Sequence, residues 1–252
     1  MNTILNICYY KPEDVKSVLY NLYKEIKMKH IIIALFLFGL QTVIGQDNKV
    51  VINLDDFKEL KGFDGLAINL IKSTENKAVI TGENTNKVAI VNNDGVLKIR
   101  MQLDKFFSGY RTFVDIYYSG NLVVIDVNED ARITSKGTIE QEILELKAQE
   151  GGELVISAKV EQMLIKSVSG GVIETTGVSN VQDVQINTGG VYKGSSLKTN
   201  FTTINVNAGS RAEVYAVDYV KANVKAGGEV LIYGNPKKVD EKTVFGGSIK
   251  RM

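Results

Sequence analysis

Gly189-Gly190-Val191-Tyr192-Lys193-Gly194-Ser195-Ser196-Leu197-Lys198-Thr199-Asn200-Phe201-Thr202-Thr203-Ile204-Asn205-Val206-Asn207 is one copy of a repeat. Two glycines open it, a short strand-like run follows, then small residues, then a second run carrying Leu197, Phe201, Ile204 and Val206. Short apolar alternations bounded by Gly, Ser and Asn read as strands and turns. Gly-Gly pairs stand at 151/152, 170/171, 189/190, 227/228 and 246/247, with Ala208-Gly209 in the remaining place, so each step is 19 residues. A period of about 20 residues marks one supersecondary unit stacked on copies of itself. No copy holds the roughly 10–12 residues of helical period that a helical or leucine-rich repeat needs. None approaches the roughly 40 residues of a propeller blade.

These features predict an all-β fold, a single-stranded parallel β-helix with an expected right-handed coil. Each copy is one coil of two or three short parallel strands, and coils stack about 4.8 Å apart. The paired glycines suit corners, where the backbone turns with positive φ and neighbouring coils pack closely. Inward Val, Ile, Leu and Phe then form apolar columns along the axis. Pro12 and Pro236 are the only prolines, as expected where proline would remove ladder donors. The competing reading is an antiparallel sandwich in which the even glycine spacing marks hairpins.

Upstream, from Asp47 to Asn128, the repeat blurs, although strand-like runs continue and Asn92-Asn93-Asp94-Gly95 reads as a hairpin turn. This half is expected to form irregular first coils with the cap that a solenoid end needs. Glu129–Ser135 resembles Glu150–Ser157 and should start the regular array, which runs over about 130–250. With no Pro/Ser-rich linker, residues 46–252 are expected to be one domain. Before it, Met28–Gly45 reads as a secretory signal peptide: Lys29 is the charged region, Ile31–Leu40 the apolar core, and Val43 with Gly45 the cleavage residues. The apolar run falls short of the roughly 20 residues of a membrane span. Gln46 rather than Cys follows the cut, so no lipid anchor is expected there. Residues 1–27 form a leader with a helical stripe of Val15, Val18, Leu19, Leu22 and Ile26, and translation is expected to begin at Met28.

Beyond Gly45 the chain carries 25 basic and 26 acidic residues, a balance that argues against nucleic acid as a partner. Cys8 and His30 are the only cysteine and histidine, and both precede the expected cut. The exported part therefore lacks the ligands of a zinc site and the imidazole or thiol of Cys/His and Ser/His catalysis.

Phe63-Asp64-Gly65-Leu66-Ala67-Ile68-Asn69-Leu70, the Gly-punctuated repeats, and the closing Gly234-Asn235-Pro236-Lys237-Lys238 with Gly246-Gly247-Ser248-Ile249-Lys250 resemble the head GIN domain family of bacterial auto-transporter adhesins. The resemblance spans roughly Phe57 to Lys250. It implies a β-helix, a Bacteroidetes-type source and a periplasmic, surface or extracellular address, and it carries over no catalytic residue.

Candidate sites are few. Lys105–Phe113 sets Phe106, Phe107, Tyr110 and Phe113 around Ser108-Gly109, either a loop whose rings stack on sugars or an edge hairpin covering the solenoid. Asn187, Asn205, Asn207 and Asn223 recur near coil ends, where stacked amides would satisfy turns. Tyr192, Tyr215, Tyr219 and Tyr233 form either a glycan platform or scattered surface positions. Glycoside hydrolysis needs two carboxylates about 5–9.5 Å apart, and Asp55-Asp56, Glu129-Asp130 and Glu140/Glu142 are the available pairs. No metal site and no cofactor are expected. The predicted function is a non-catalytic envelope module that binds a polysaccharide or a surface protein, or that serves as a structural element. The alternatives are a β-helix carbohydrate-active enzyme and a self-associating structural protein. Lys237, Lys238, Lys250 and Arg251 are expected to discourage pairing at the C-terminal edge.

Overall fold

The computed structural model describes residues 49–102 and 111–252, together with Lys16, Tyr20, Tyr23, Lys24, Glu25 and Lys27, which are helical. The chain divides into two compact units, Met1–Gln46 and Asp47–Met252. Among the described residues no helix is long and apolar enough to cross a membrane.

The second unit is built from strands. Its first part holds β1 (Val50–Asn53), β2 (Glu59–Gly62), β3 (Ala67–Lys72), β4 (Lys77–Gly82), β5 (Val88–Asn93), β6 (Val96–Met101), β7 (Thr112–Tyr118) and β8 (Val124–Val127). Four long strands follow: β9 (Arg132–Ala148), β10 (Glu153–Ser167), β11 (Val172–Ile186) and β12 (Val191–Val206). The last coils break into β13 (Arg211–Tyr215), β14 (Tyr219–Lys225), β15 (Glu229–Tyr233), β16 (Lys238–Val244) and β17 (Ser248–Arg251). From β9 onward every ladder is parallel, which gives the predicted β-solenoid and excludes the sandwich.

One coil shows why this sequence closes on itself. Along β10, Leu154, Ile156, Ala158 and Val160 point inward, Glu161 and Gln162 both stay out, and Met163, Ile165 and Ser167 point inward again. Two successive outward residues break the alternation and bend the strand into a second face. Glu142-Ile143, Asn180-Val181 and Asn200-Phe201 do the same in the adjoining coils. Stacked register then lines up the inward side chains. Val114, Ile68, Ile133, Leu154, Ile173, Tyr192, Ala212 and Val230 make one column. Leu97, Leu60, Ile125, Leu146, Ile165, Val184, Ile204 and Ala222 make another, and all are buried.

The opposite edge of the coil is the glycine corner. At Ser169-Gly170-Gly171 the first two residues have φ of 49° and 76°, and a Cβ on Gly171 would lie 2.3 Å from the Ala148 carbonyl oxygen. The first glycine is there for its dihedral and the second for the space it leaves. Corners also hydrogen-bond to one another: Gly170 N–H donates to Thr188 O at 3.2 Å and Gly189 N–H to Ala208 O at 3.1 Å.

The strict 19-residue step needs correction. The second corner residue falls at Asp130, Gly151, Gly170, Gly189, Gly209, Gly227 and Gly246, so the coils measure 21, 19, 19, 20, 18 and 19 residues. Gly209, not Ala208, is equivalent to Gly189. A register shift between Glu174 and Thr176 accommodates an extra residue in β12, and the coil after it is one residue short.

The N-terminal coils are irregular, as expected, but their order in space is not their order in sequence. β6 and β7 pair in parallel on β2 and β3, which in turn pair on β8 and β9, so the later strands form the outer layer. β5 folds back antiparallel on β6 through Asp94-Gly95, and β4 and β1 continue antiparallel from β7. At the other end, among the described strands, β16 is in register with β14 and β17 with β15, each on one side. That open edge is charged: Arg251 pairs with Glu241 at 2.7 Å, Lys250 with Glu229 at 2.7 Å and Lys238 with Asp240 at 3.4 Å. Glu241 sits in line with the inward Ala222, a charge where a further coil would need an apolar side chain.

Candidate functional site

Of the predicted aromatic loop, Phe106, Phe107 and Tyr110 lie outside the described residues. Phe113 is on β7 and 46% exposed. The tyrosine face is not one surface: Tyr192 is fully buried, whereas Tyr215 and Tyr233 are register partners on the half-exposed outer wall. Tyr192 points inward because it occupies the column of Ile173 and Ala212. Tyr219 donates to Asp240 Oδ2 at 2.6 Å, which raises the phenol and lowers the carboxyl relative to their ordinary pKa values. The predicted amide stack exists in part, with Asn223 Nδ2 donating to Asn205 Oδ1 at 3.1 Å.

Among the described residues, one concavity was missed by sequence reading. It runs along the bent edge, opposite the glycine corner, and encloses about 590 Å³. Its floor is the column of Val160, Ser179 and Thr199, all buried. One wall is Lys159, Val178 and Lys198; the other is Glu142, Glu161, Asn180 and Asn200. The second wall is a ladder: Asn180 Nδ2 donates to Glu161 Oε1, and Asn200 Nδ2 donates to Asn180 Oδ1 at 3.0 Å. Each coil thus contributes one polar group, about 4.8 Å from the next. The only sequence signal for it was the doubled outward position that bends each strand.

A buried polar network stiffens the floor from beneath. Thr199 Oγ1 donates to Tyr215 O at 2.6 Å and lies 2.9 Å from Thr202 Oγ1. Gln182 Nε2 donates to Thr202 Oγ1 at 2.9 Å, and its Oε1 accepts from Tyr192 OH at 3.0 Å. Two smaller cavities continue the same edge toward the N-terminal coils. One of about 270 Å³ is lined by Lys72, Tyr118 and Thr138–Gln141. The other, of about 500 Å³, lies between Asp56–Lys58, Asn76 and Ser119–Asn121. Gln141 lines the first two of the three, and its Nε2 donates to Leu122 O at 2.7 Å, next in the chain to Asn121 and Val123 of the third.

The acidic pairs divide. Asp56 accepts from Asn76 Nδ2 at 2.7 Å in a turn, and Glu140 pairs with Lys159 at 3.5 Å at the surface. Glu129 differs, because it stacks on fully buried Asp64 one coil away, the corners being joined by Gly65 N–H to Glu129 O at 2.8 Å. Asp64 Oδ2 accepts from Met101 N–H at 2.9 Å, while Asp64 Oδ1 and Glu129 Oε2 are buried without a donor. Burial first, then the hydrogen bond and charge of Asp64, raise the Glu129 pKa, with Arg100 opposing and Glu150 adding a little. The folded protein therefore holds this proton more tightly than the unfolded chain. Stability from it is complete below the ordinary glutamate pKa and is lost as pH rises through the raised value. Glu229 and Asp240, both lowered, act in the opposite sense and lose their contribution on acidification. Glu129→Gln supplies a permanent N–H to Asp64. Melting curves should show a variant without the loss on the alkaline side and, at pH above the raised value, about 2–4 °C more stable than the wild type for one hydrogen bond of about 1 kcal/mol. Identical wild-type and variant profiles would show that the raised Glu129 pKa has no bearing on stability.

Among the described residues no group of His, Cys, Asp and Glu is arranged to hold a metal ion.

Solved structures with the same fold include an adhesin, described as putative, from Bacteroides fragilis. It is 14% identical, covers 82% of this chain and 98% of its own, and has a TM-score of 0.74. Another so described, from Parabacteroides distasonis, is 19% identical, with coverage of 83% and 98% and a TM-score of 0.67. A "putative lipid binding protein" from Parabacteroides distasonis is 16% identical, with coverage of 83% and 98% and a TM-score of 0.63. No curated protein matches in sequence. The profile of one family matches residues 56–236, from the turn before β2 to the turn before β16, which takes in the bent edge and most of the glycine corners. The chain belongs to the family described as "Putative auto-transporter adhesin, head GIN domain".

Proposed function

We propose that this protein is an exported adhesion module that binds through the groove along its bent edge and carries out no reaction. The single observation behind this reading is the Glu161–Asn180–Asn200 ladder, a polar row with one member per coil set in a cavity of about 590 Å³. A repeating row suits a repeating ligand. The floor beneath it is tied into a buried hydrogen-bond network, so the row is preorganised and little is lost in ordering it on binding. Export rests on the signal-like Met28–Gly45 and on the adhesin description of the family. Two features support the non-catalytic reading: after Gly45 there is no histidine or cysteine for Ser/His or Cys/His chemistry, and of the groove's two carboxylates Glu161 is held by its Asn180 neighbour.

The test is binding of the purified exported protein to immobilised surface polymers, both glycans and proteins. Asn180→Ala combined with Asn200→Ala removes two rungs without touching the buried columns. Each neutral hydrogen bond contributes about 1 kcal/mol, so binding should weaken by about tenfold or more. Undiminished binding by a folded variant would rule out the groove. Steady release of reducing ends from any bound glycan would overturn the non-catalytic reading.

A further inference from the structure

We infer that the groove's ligand is an uncharged polysaccharide lying along the solenoid axis and gripped one coil at a time. This rests on the groove being the binding site, and three observations narrow the ligand.

The first is charge. In the main cavity Glu142 and Glu161 face Lys159 and Lys198, two of each sign. Each continuing cavity is balanced as well, with Glu140 and Lys72 in one and Asp56 and Lys58 in the other. An acidic polymer needs a surplus of cations to displace its counterions, and a basic one needs a surplus of carboxylates. Neither is supplied.

The second is the state of the backbone. Strands β10 and β11 are each paired in parallel with a coil on either side, so neither offers an open sheet edge; at the bend the ladders skip Glu161 and Asn180, and there Ser179 Oγ donates to Glu161 O at 3.4 Å and to Val181 O at 2.7 Å. An extended peptide draws much of its affinity from main-chain hydrogen bonds to an open sheet edge. With no sheet edge open, the groove offers a row of side chains: amides that both donate and accept, two carboxylates, two ammonium groups, and apolar methyls from Val178 and Val217. That mixture matches a chain of hydroxyls with apolar ring faces.

The third is length. The three cavities follow one edge through the coils at Ser119–Asn121, Thr138–Glu142, Lys159–Glu161, Val178–Asn180, Lys198–Asn200 and Val217. Five intervals at the spacing of stacked strands give about 24 Å. A monosaccharide would fill a small part of that, so affinity is expected to grow with chain length until the groove is spanned.

Calorimetric titration of the exported protein with neutral dextran, laminarin and mannan, with acidic alginate, and with gelatin as an extended polypeptide tests this, at low and at high salt. The expected result is binding of at least one neutral polysaccharide, nearly independent of salt and rising with oligomer length. The Asn180→Ala/Asn200→Ala variant should bind it about tenfold more weakly. Salt-sensitive alginate binding, or gelatin binding, that the double substitution weakens would overturn the ligand class and leave the groove as the site. Neutral-glycan binding that the substitution leaves intact would overturn the site itself. Failure of all three neutral polymers to bind a folded protein overturns the inference.

Discussion

Gly177→Ala is expected to lower stability by about 3 kcal/mol or more, a fall in melting temperature of roughly ten degrees for a domain of this size. Gly177 lies in the middle of β11 with φ of 110°, and a Cβ there would stand 2.0 Å from the Ala158 carbonyl oxygen of the preceding coil. The obstruction is backbone, held by ladders on both sides, so no side-chain rotation relieves it. Gly170→Ala is the control. Its φ is 76° but nothing lies within 4 Å of the added carbon, so its cost is that of the left-handed dihedral, about 1–2 kcal/mol. Thermal melts of the two variants separate crowding from dihedral strain. Equal losses would mean that the coils shift apart to admit the methyl group.

Tyr192→Ala is expected to cost about 3–5 kcal/mol, the range for deleting a large buried aromatic side chain. The ring is fully buried and lies so close over Gly194 that a Cβ there would come within 2.4 Å of it. Its hydroxyl is 2.9 Å from Thr175 Oγ1 and donates to Gln182 Oε1 at 3.0 Å. Tyr192→Phe keeps the ring and strands that amide oxygen, at a cost of about 1–3 kcal/mol. Burial pushes the phenol far above its ordinary range, against a small opposing effect of Thr175, so the loss should not vary with pH below strongly alkaline conditions. Gln182 and Thr199 connect this hydroxyl to the groove floor. Ligand binding should therefore weaken in Tyr192→Ala even at temperatures where it stays folded. Calorimetry below the melting transition reads this directly, and unchanged affinity would detach the network from the groove.

The balance of forces explains which features were legible. A glycine that must adopt positive φ and a second that must leave room for the coil below recur once per turn, so the corners printed the solenoid on the sequence. The hairpin at Asp94-Gly95 was legible for the same local reason. Ala208 was misleading because both members of a corner have positive φ and the coil before it gained a residue. Tyr192 was misread because a side chain in a parallel stack faces in or out according to its column, and a column is a relation among residues about 19 apart in the chain.

From its residues alone, the sequence determined an all-β stack of coils with glycine corners, an N-terminal cap and no imidazole or thiol chemistry after Gly45. These follow from backbone sterics and residue supply, which act locally. Only the tertiary structure decided that β6 and β7 lie outside β2 and β3, that Glu129 shares its surroundings with Asp64, and that Glu161, Asn180 and Asn200 form one polar row. Each of those depends on which coil stacks on which, a choice made by packing across the axis and invisible within a single repeat.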